Sequence, residues 1–298
     1  MTTPKTKPKP INSLFQHSVH AWRNTTLDDL EKLINWHIDN GTNGIVAVGT
    51  TGESPSLNFK EHIDVIKKTI EYVEGRIPVI AGTGANSTSE AIDLCKASED
   101  VGAEFSLTVV PYYNKPTQYG LLKHFESIAN SSKLKHILYN VPSRTITDLA
   151  DETTLKLAQI ENIVGLKDAT ANMFRITNLV KNKPKDFSLL SGDDASALPF
   201  LFLGGDGVIS VTANVVPGYF SNMCKFILEK KYEDAIKINE KLLSLNSLLF
   251  IEANPIPVKW LLYKMKMLEI DYLRSPLTKL NKMHEQSLMK AATEANIF

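Results

Sequence analysis

The sequence predicts an α/β protein built from parallel βαβ units, and three observations carry that prediction. Short runs of four to seven mostly apolar residues recur along the chain. Between them lie segments of helical apolar spacing, each opened by a polar cap and closed by a stop. Reactive polar residues collect directly after the apolar runs, the edge where parallel sheets bind their ligands. With 298 residues, 43% hydrophobic and 22% charged, the chain is not disordered, collagen-like or coiled-coil.

Thr25 and Thr26 cap a first helix with Leu27, Leu30, Leu33, Ile34 and Ile38 at helical spacing, and Gly41 stops it. The apolar run Gly44–Val48 follows as a strand. Asn58 caps a second helix through Ile63, Ile66, Ile70 and Val73, stopped by Gly75, and Ile77–Ile80 is the next strand. Ser87 to Val101 is helical and Glu104–Val110 extended; a helix near Gln118 to Asn130 leads to a strand over His136–Val141. Later units end in Ile163–Lys167, Phe187–Leu190 and Gly207–Val211. Beyond Pro217 the pattern is helical only, near Tyr219–Glu229, Tyr232–Phe250, Pro255–Met267 and Glu285–Ala295.

These runs make seven strands, enough for an open doubly wound sheet, whereas a closed barrel needs an eighth. Only Ile11 to Trp22 could supply it, and Gln16, His17 and His20 interrupt its apolar pattern. Residues 1 to about 18 are therefore expected to be mobile or irregular. The chain divides into this atypical segment (1–22), an α/β body (23–230) and C-terminal helices (231–298).

Thirty-three basic residues balance thirty-three acidic ones, so no net charge favours nucleic acid or an anionic membrane. Cys95 and Cys224 form no disulfide framework or zinc pattern, which points to a reducing, cytoplasmic setting. No apolar run reaches the roughly 18 residues of a membrane span, and the basic, proline-rich N-terminus has no apolar stretch behind it to act as a signal peptide.

Among strand-end residues Lys167 stands out. A lysine closing the run Ile163-Val-Gly-Leu would be partly desolvated, which lowers its pKa and leaves an amine able to form a Schiff base. The alternative is a strand-end lysine paired with Asp168. Tyr139 on a neighbouring strand is a proton carrier or an ordinary core residue. Gly49-Thr-Thr-Gly offers amides and two hydroxyls suited to a carboxylate, or is only a turn; Arg144 could grip a carboxylate or be solvated. Gly82-Thr-Gly-Ala-Asn-Ser87 lacks the third glycine of a dinucleotide fingerprint, and Gly204-Gly-Asp-Gly207 precedes a strand and is a turn. The histidines have no metal-ligand spacing, so no metal is expected.

Together these segments resemble the dihydrodipicolinate synthase branch of the pyruvate-dependent class I aldolases. The resemblance is carried by Gly49-Thr-Thr-Gly-Glu-Ser54, Ala81-Gly-Thr-Gly-Ala-Asn86, Pro111-Tyr-Tyr-Asn114, Tyr139-Asn-Val-Pro-Ser-Arg-Thr145, Gly165-Leu-Lys-Asp-Ala-Thr170, Ser191-Gly-Asp-Asp-Ala-Ser196, Gly207-Val-Ile-Ser-Val-Thr-Ala-Asn214 and Asn254-Pro-Ile-Pro-Val-Lys259. It implies a (β/α)8 barrel with a C-terminal helical appendix, assembled as a cytoplasmic homotetramer, a dimer of dimers. The implied reaction condenses pyruvate with L-aspartate 4-semialdehyde, the first committed step to diaminopimelate and lysine, without cofactor or metal.

The resemblance makes Lys167 the Schiff-base lysine and Tyr139 the proton shuttle, with Thr50 linking Tyr139 to a Tyr113 from the neighbouring subunit. Thr51 would hold the pyruvate carboxylate, Arg144 steer the semialdehyde carboxylate, and Ile209 and Gly192 complete the substrate site. Ser54, His62, Asn86, Glu90 and Tyr112 would form a feedback site for L-lysine. Two departures stand out: Pro55 and Phe59 replace the bacterial alanine and histidine, and the apolar first strand ending in Thr-Pro is missing. Alternatives are an N-acetylneuraminate or keto-sugar-acid lyase of the same family, or a catalytically silent ligand-binding relative.

Overall fold

The structure, a computed structural model, describes residues 27–298 and, by their backbone, residues 17–21. Its first half runs β1 (His17–Ala21), α1 (Leu27–Asp39), β2 (Gly44–Ala47), α2 (Phe59–Val73), β3 (Val79–Gly82), α3 (Thr88–Asp100), β4 (Phe105–Val109), α4 (Gln118–Ala129) and β5 (Lys135–Asn140). Then come α5 (Pro142–Thr145), α6 (Asp151–Leu157), β6 (Ile163–Asp168), α7 (Met173–Asn182), β7 (Ser188–Ser191), α8 (Ala197–Phe202) and β8 (Gly207–Ile209). Helices α9 (Pro217–Leu228), α10 (Tyr232–Leu248), α11 (Ile256–Lys264) and α12 (Lys282–Glu294) follow.

The strands pair in parallel, each with the next in sequence, and close as β1-β2-β3-β4-β5-β6-β7-β8. Closure removes both sheet edges and fills the interior with side chains. Val46, Ile80, Phe105, Leu107, Ile137, Val164, Leu190 and Ile209 form that inner core. A larger shell of Leu, Ile, Val and Phe lies between the strands and the helices. The expected Asn58 cap operates: its side chain accepts from the Glu61 amide while the Glu61 carboxylate accepts from the Asn58 amide, a reciprocal capping box. The cap expected at Thr25 and Thr26 lies outside the described residues.

The first strand differs from expectation. His17–Ala21 pairs with β2 from Ser18↔Gly44 to Ala21↔Ala47, and with β8 through His17↔Val208 and Ser18↔Ile209. Parallel pairing uses main-chain amides and carbonyls, so a run that fails the apolar test by its side chains still completes the ladder. The expected irregularity of residues 1–16 lies outside the described residues, as do Gln16 and Trp22.

Other strand ends move by one or two residues for local reasons. Val48, at φ 57°, turns the chain out of β2. Pro78 has no N–H to give a ladder, and β3 starts one residue later while the Pro78 carbonyl accepts from Ile45 N at 3.0 Å. Among the described residues no helix is long and apolar enough to cross a membrane.

Candidate active site

Strands β5 and β6 place two side chains at the mouth in register: Tyr139 and Lys167 are Cα partners across the ladder. Their ends read Tyr139-Asn140 and Lys167-Asp168, and alternation sends the first of each pair inward and the second toward the helices. Lys167 is 3% exposed and its Nζ lies 4.3 Å from the centre of the Tyr139 ring. Asp168 is not its partner: that carboxylate sits 3.2 Å from Arg175 Nε on the outer side. Among the described residues no carboxylate lies within ion-pair distance of Lys167 Nζ.

Burial pushes the Lys167 amine down to about 7; the Asp194 carboxylate pulls it up and the Arg144 guanidinium pushes it further down. Burial raises the Tyr139 phenol, while Arg144 and a hydrogen bond with the Thr50 hydroxyl draw it back. Asp194 is itself raised by burial, although its Oδ2 accepts from Val211 N at 3.0 Å and Thr212 N at 2.8 Å. The result is an amine able to be neutral beside a phenol able to hold a proton.

A cavity of ≈ 380 Å³ opens on this pair, and Thr50, Thr51, Ser143, Arg144, Gly192 and Asn254 share its lining. Thr51 is fully buried, and its Oγ1 accepts from Asn254 Nδ2 at 2.9 Å. Arg144 Nη2 donates to the Asn254 carbonyl at 3.3 Å. Gly192 is needed for space: a Cβ there would stand 2.8 Å from Lys167 Cε. Ile209 ends β8 within the inner core, 1% exposed, and is not part of the cavity lining. The cavity thus joins a buried amine, a phenol, hydroxyls and a guanidinium, a set suited to an α-keto acid.

Tyr113 is not brought to this cavity within one chain. It is 90% exposed, with φ at 72°. The loop after β2 is held from behind: Glu53, at φ 60° and 3% exposed, meets Lys259 Nζ at 2.9 Å and accepts from Arg274 N at 3.0 Å. The sequence reading missed roles for Asn254 and Asp194, although both lie in its quoted motifs, and for Arg175, which lies in none.

A second cavity of ≈ 220 Å³ shares Thr50 and Tyr139 with the first and is lined by Ser54, Pro55, Phe59, His62, Glu90 and Tyr112. His62 Nε2 donates to the Gly82 carbonyl at 2.6 Å, and burial lowers its pKa. Burial and the Glu90 carboxylate raise the Tyr112 phenol. Asn86 stays out of this lining; its carbonyl accepts from Asn114 Nδ2 at 2.8 Å. Among the described residues no cluster of three or more His, Cys, Asp or Glu could hold a metal ion.

Residues 16–295 match the model of the dihydrodipicolinate synthetase family. The chain belongs to the dihydrodipicolinate synthetase family. Relatives named 4-hydroxy-tetrahydrodipicolinate synthase are 50% identical in Cellvibrio japonicus, covering 94% of this chain and 96% of that one, and 54% identical in Thiobacillus denitrificans, covering 91% of each. Among solved members, a chloride-inhibited dihydrodipicolinate synthase from Acinetobacter baumannii complexed with pyruvate is 46% identical. It superposes with a TM-score of 0.92 over 95% of this chain and 100% of that one. A Cyanidioschyzon merolae enzyme with lysine bound is 36% identical, with a TM-score of 0.91 over 96% of this chain and 99% of that one.

Proposed function

We propose that this chain condenses pyruvate with L-aspartate 4-semialdehyde to give 4-hydroxy-tetrahydrodipicolinate, opening the route to diaminopimelate and lysine. The observation that carries the reading is Lys167, buried, with no paired carboxylate among the described residues and held at the wall of a cavity beside Tyr139. The similarity to synthases at 50% and 54% identity supports the substrate pair.

The neutral Nζ attacks the keto carbon of pyruvate. Tyr139 gives its proton to the carbinolamine oxygen, and water leaves an iminium. The iminium nitrogen is an electron sink, so loss of a methyl proton yields an enamine. That carbon attacks the aldehyde of the second substrate, whose amino group then adds to the iminium carbon and expels Lys167 as the ring closes. Thr51 and its neighbouring amides hold the pyruvate carboxylate, with Gly192 and the Ile209 carbonyl completing the substrate site, and Arg144 takes the semialdehyde carboxylate. Thr50 carries protons between Tyr139 and a Tyr113 supplied by a second copy, which gives the exposure of that tyrosine a purpose. The working assembly in this reading is a cytoplasmic homotetramer.

The second cavity is read as a site for L-lysine as feedback inhibitor. Glu90 would meet an ammonium, while Ser54, His62 and Tyr112 offer polar atoms around it; Asn86, expected beside them, lies outside the lining. A coupled assay tests the central reading: aspartate semialdehyde with pyruvate should be turned over, and N-acetylneuraminate should not be cleaved at a comparable rate. Preferential cleavage of N-acetylneuraminate would replace the synthase reading by the lyase one.

A further inference from the structure

Arg144 sits on a loop that carries one strained residue. The short helix α5 ends at Ile146, 68% exposed, with φ 61° and ψ −35°. That is close to the positive-φ γ-turn conformation, rare and strained, and for a β-branched residue an outlier. Such a conformation persists only where the surroundings over-determine it. Inside the loop the Thr145 hydroxyl donates to the Thr147 carbonyl at 2.8 Å and Ile146 N to the Pro142 carbonyl at 2.9 Å; outside it, the feet at Asn140 and residues 148–149 are fixed to the barrel.

One guanidinium ties the second foot to the end of β6. Arg175, in the first turn of α7 and 7% exposed, places Nε 3.2 Å from Asp168 Oδ2 and 3.2 Å from Asp151 Oδ1. Its Nη1 donates to Asp148 Oδ1 at 3.0 Å, and its Nη2 donates to the Leu149 carbonyl. Asn140 completes the clamp. Its Nδ2 donates to Asp148 Oδ1 at 2.7 Å, and its Oδ1 accepts from Leu149 N at 3.0 Å. Gln118 adds a brace from α4, donating to the Asp148 carbonyl at 2.7 Å and accepting from Ala150 N at 3.0 Å. By contrast, Tyr139 and Lys167 are held by the main-chain ladder of the barrel, which needs no side chain.

We propose that Arg175 is a positioning residue for the second substrate: by clamping residues 148–149 to the end of β6, beside the tie that Asn140 makes to β5, it holds the strained loop so that Arg144 stays at the cavity. This rests on the reading above, in which Arg144 takes the semialdehyde carboxylate. The rigid fork matters as well as the charge, because the guanidinium meets Asp148, Asp151, Asp168 and the Leu149 carbonyl at once.

The test uses the full chain with Arg175→Lys, which keeps the charge and loses the fork. Asp148→Ala serves as a second variant that removes one arm at a half-exposed position. The KM for aspartate semialdehyde should rise by about tenfold or more in the first, since a displacement of about 1 Å can cost on the order of 10²-fold. The second should show a smaller rise. The KM for pyruvate, and borohydride trapping of pyruvate on Lys167, should stay within about twofold, because the barrel ladder is untouched. Adding Ile146→Gly, which removes the backbone strain, should recover part of the lost affinity in both variants.

An unchanged semialdehyde KM in both variants would overturn the inference, as would pyruvate trapping that falls in step with it. If Arg175→Lys does not fold, Asp148→Ala with and without Ile146→Gly decides alone. An unaltered protein that neither traps pyruvate nor turns over would instead sink the proposed function, and this inference with it.

Discussion

Two lysines among the described residues are almost wholly removed from water, and they differ in what surrounds them. Lys259, on α11, is fully buried with its Nζ 2.9 Å from Glu53 Oε1, a carboxylate as buried as itself. Lys167, on β6, is 3% exposed and faces a cavity, with an aromatic ring as its near neighbour. Burial lowers the pKa of both, and a carboxylate pulls each back in part: Glu53 in direct contact at Lys259, Asp194 without a contact at Lys167. Burial alone therefore does not make a nucleophile. On the reading proposed above, the reactive lysine is the one given room for a substrate and, among the described residues, no carboxylate at ion-pair distance; the other is a strut behind the loop that carries Thr50 and Thr51.

Replacing each lysine by methionine separates the roles most sharply. Lys167→Met should cut turnover by at least about 10³-fold, as loss of a covalent nucleophile does, while leaving thermal stability unchanged or raised. Lys259→Met leaves Glu53 facing an apolar group and should reduce unfolding free energy by about 3–5 kcal/mol, measured by denaturant titration. Equal loss of stability in both variants would break the comparison.

A smaller effect sharpens it. With the Lys167 amine at about 7, the neutral fraction grows as pH rises through that value, so the rate of pyruvate adduct formation should climb and then level. The rise should fall between about pH 6 and pH 8 rather than near 10, where an ordinary lysine titrates. A rate still climbing at pH 9 would mean that Lys167 is solvated like a surface lysine.

Much of the barrel was legible in the sequence, because strands buried on both faces must be apolar and helices must begin with caps. Strands β2 to β8 were found on that ground, as was the burial of Lys167 at the cavity, a polar residue closing an apolar run. Strand β1 was not, since His17 and His20 break the side-chain pattern while backbone pairing still closes the barrel. Asn254, Asp194 and Arg175 were missed for another reason. Their roles arise from partners far along the chain, as when Asn254 reaches Thr51 or Asp194 reaches Thr212. The strain at Ile146 was equally hidden, for Thr145-Ile-Thr147 reads as ordinary extended sequence. Tyr113 gained a role only through resemblance, because a single chain leaves it in solvent.

The most direct test of the central claim is reduction with borohydride in the presence of pyruvate, followed by intact-mass and peptide mass spectrometry. The account predicts one reduced pyruvyl group per chain, located on Lys167, with Lys259 unmodified although it is equally buried. An adduct on another lysine, or none at all in a folded protein saturated with pyruvate, would contradict it.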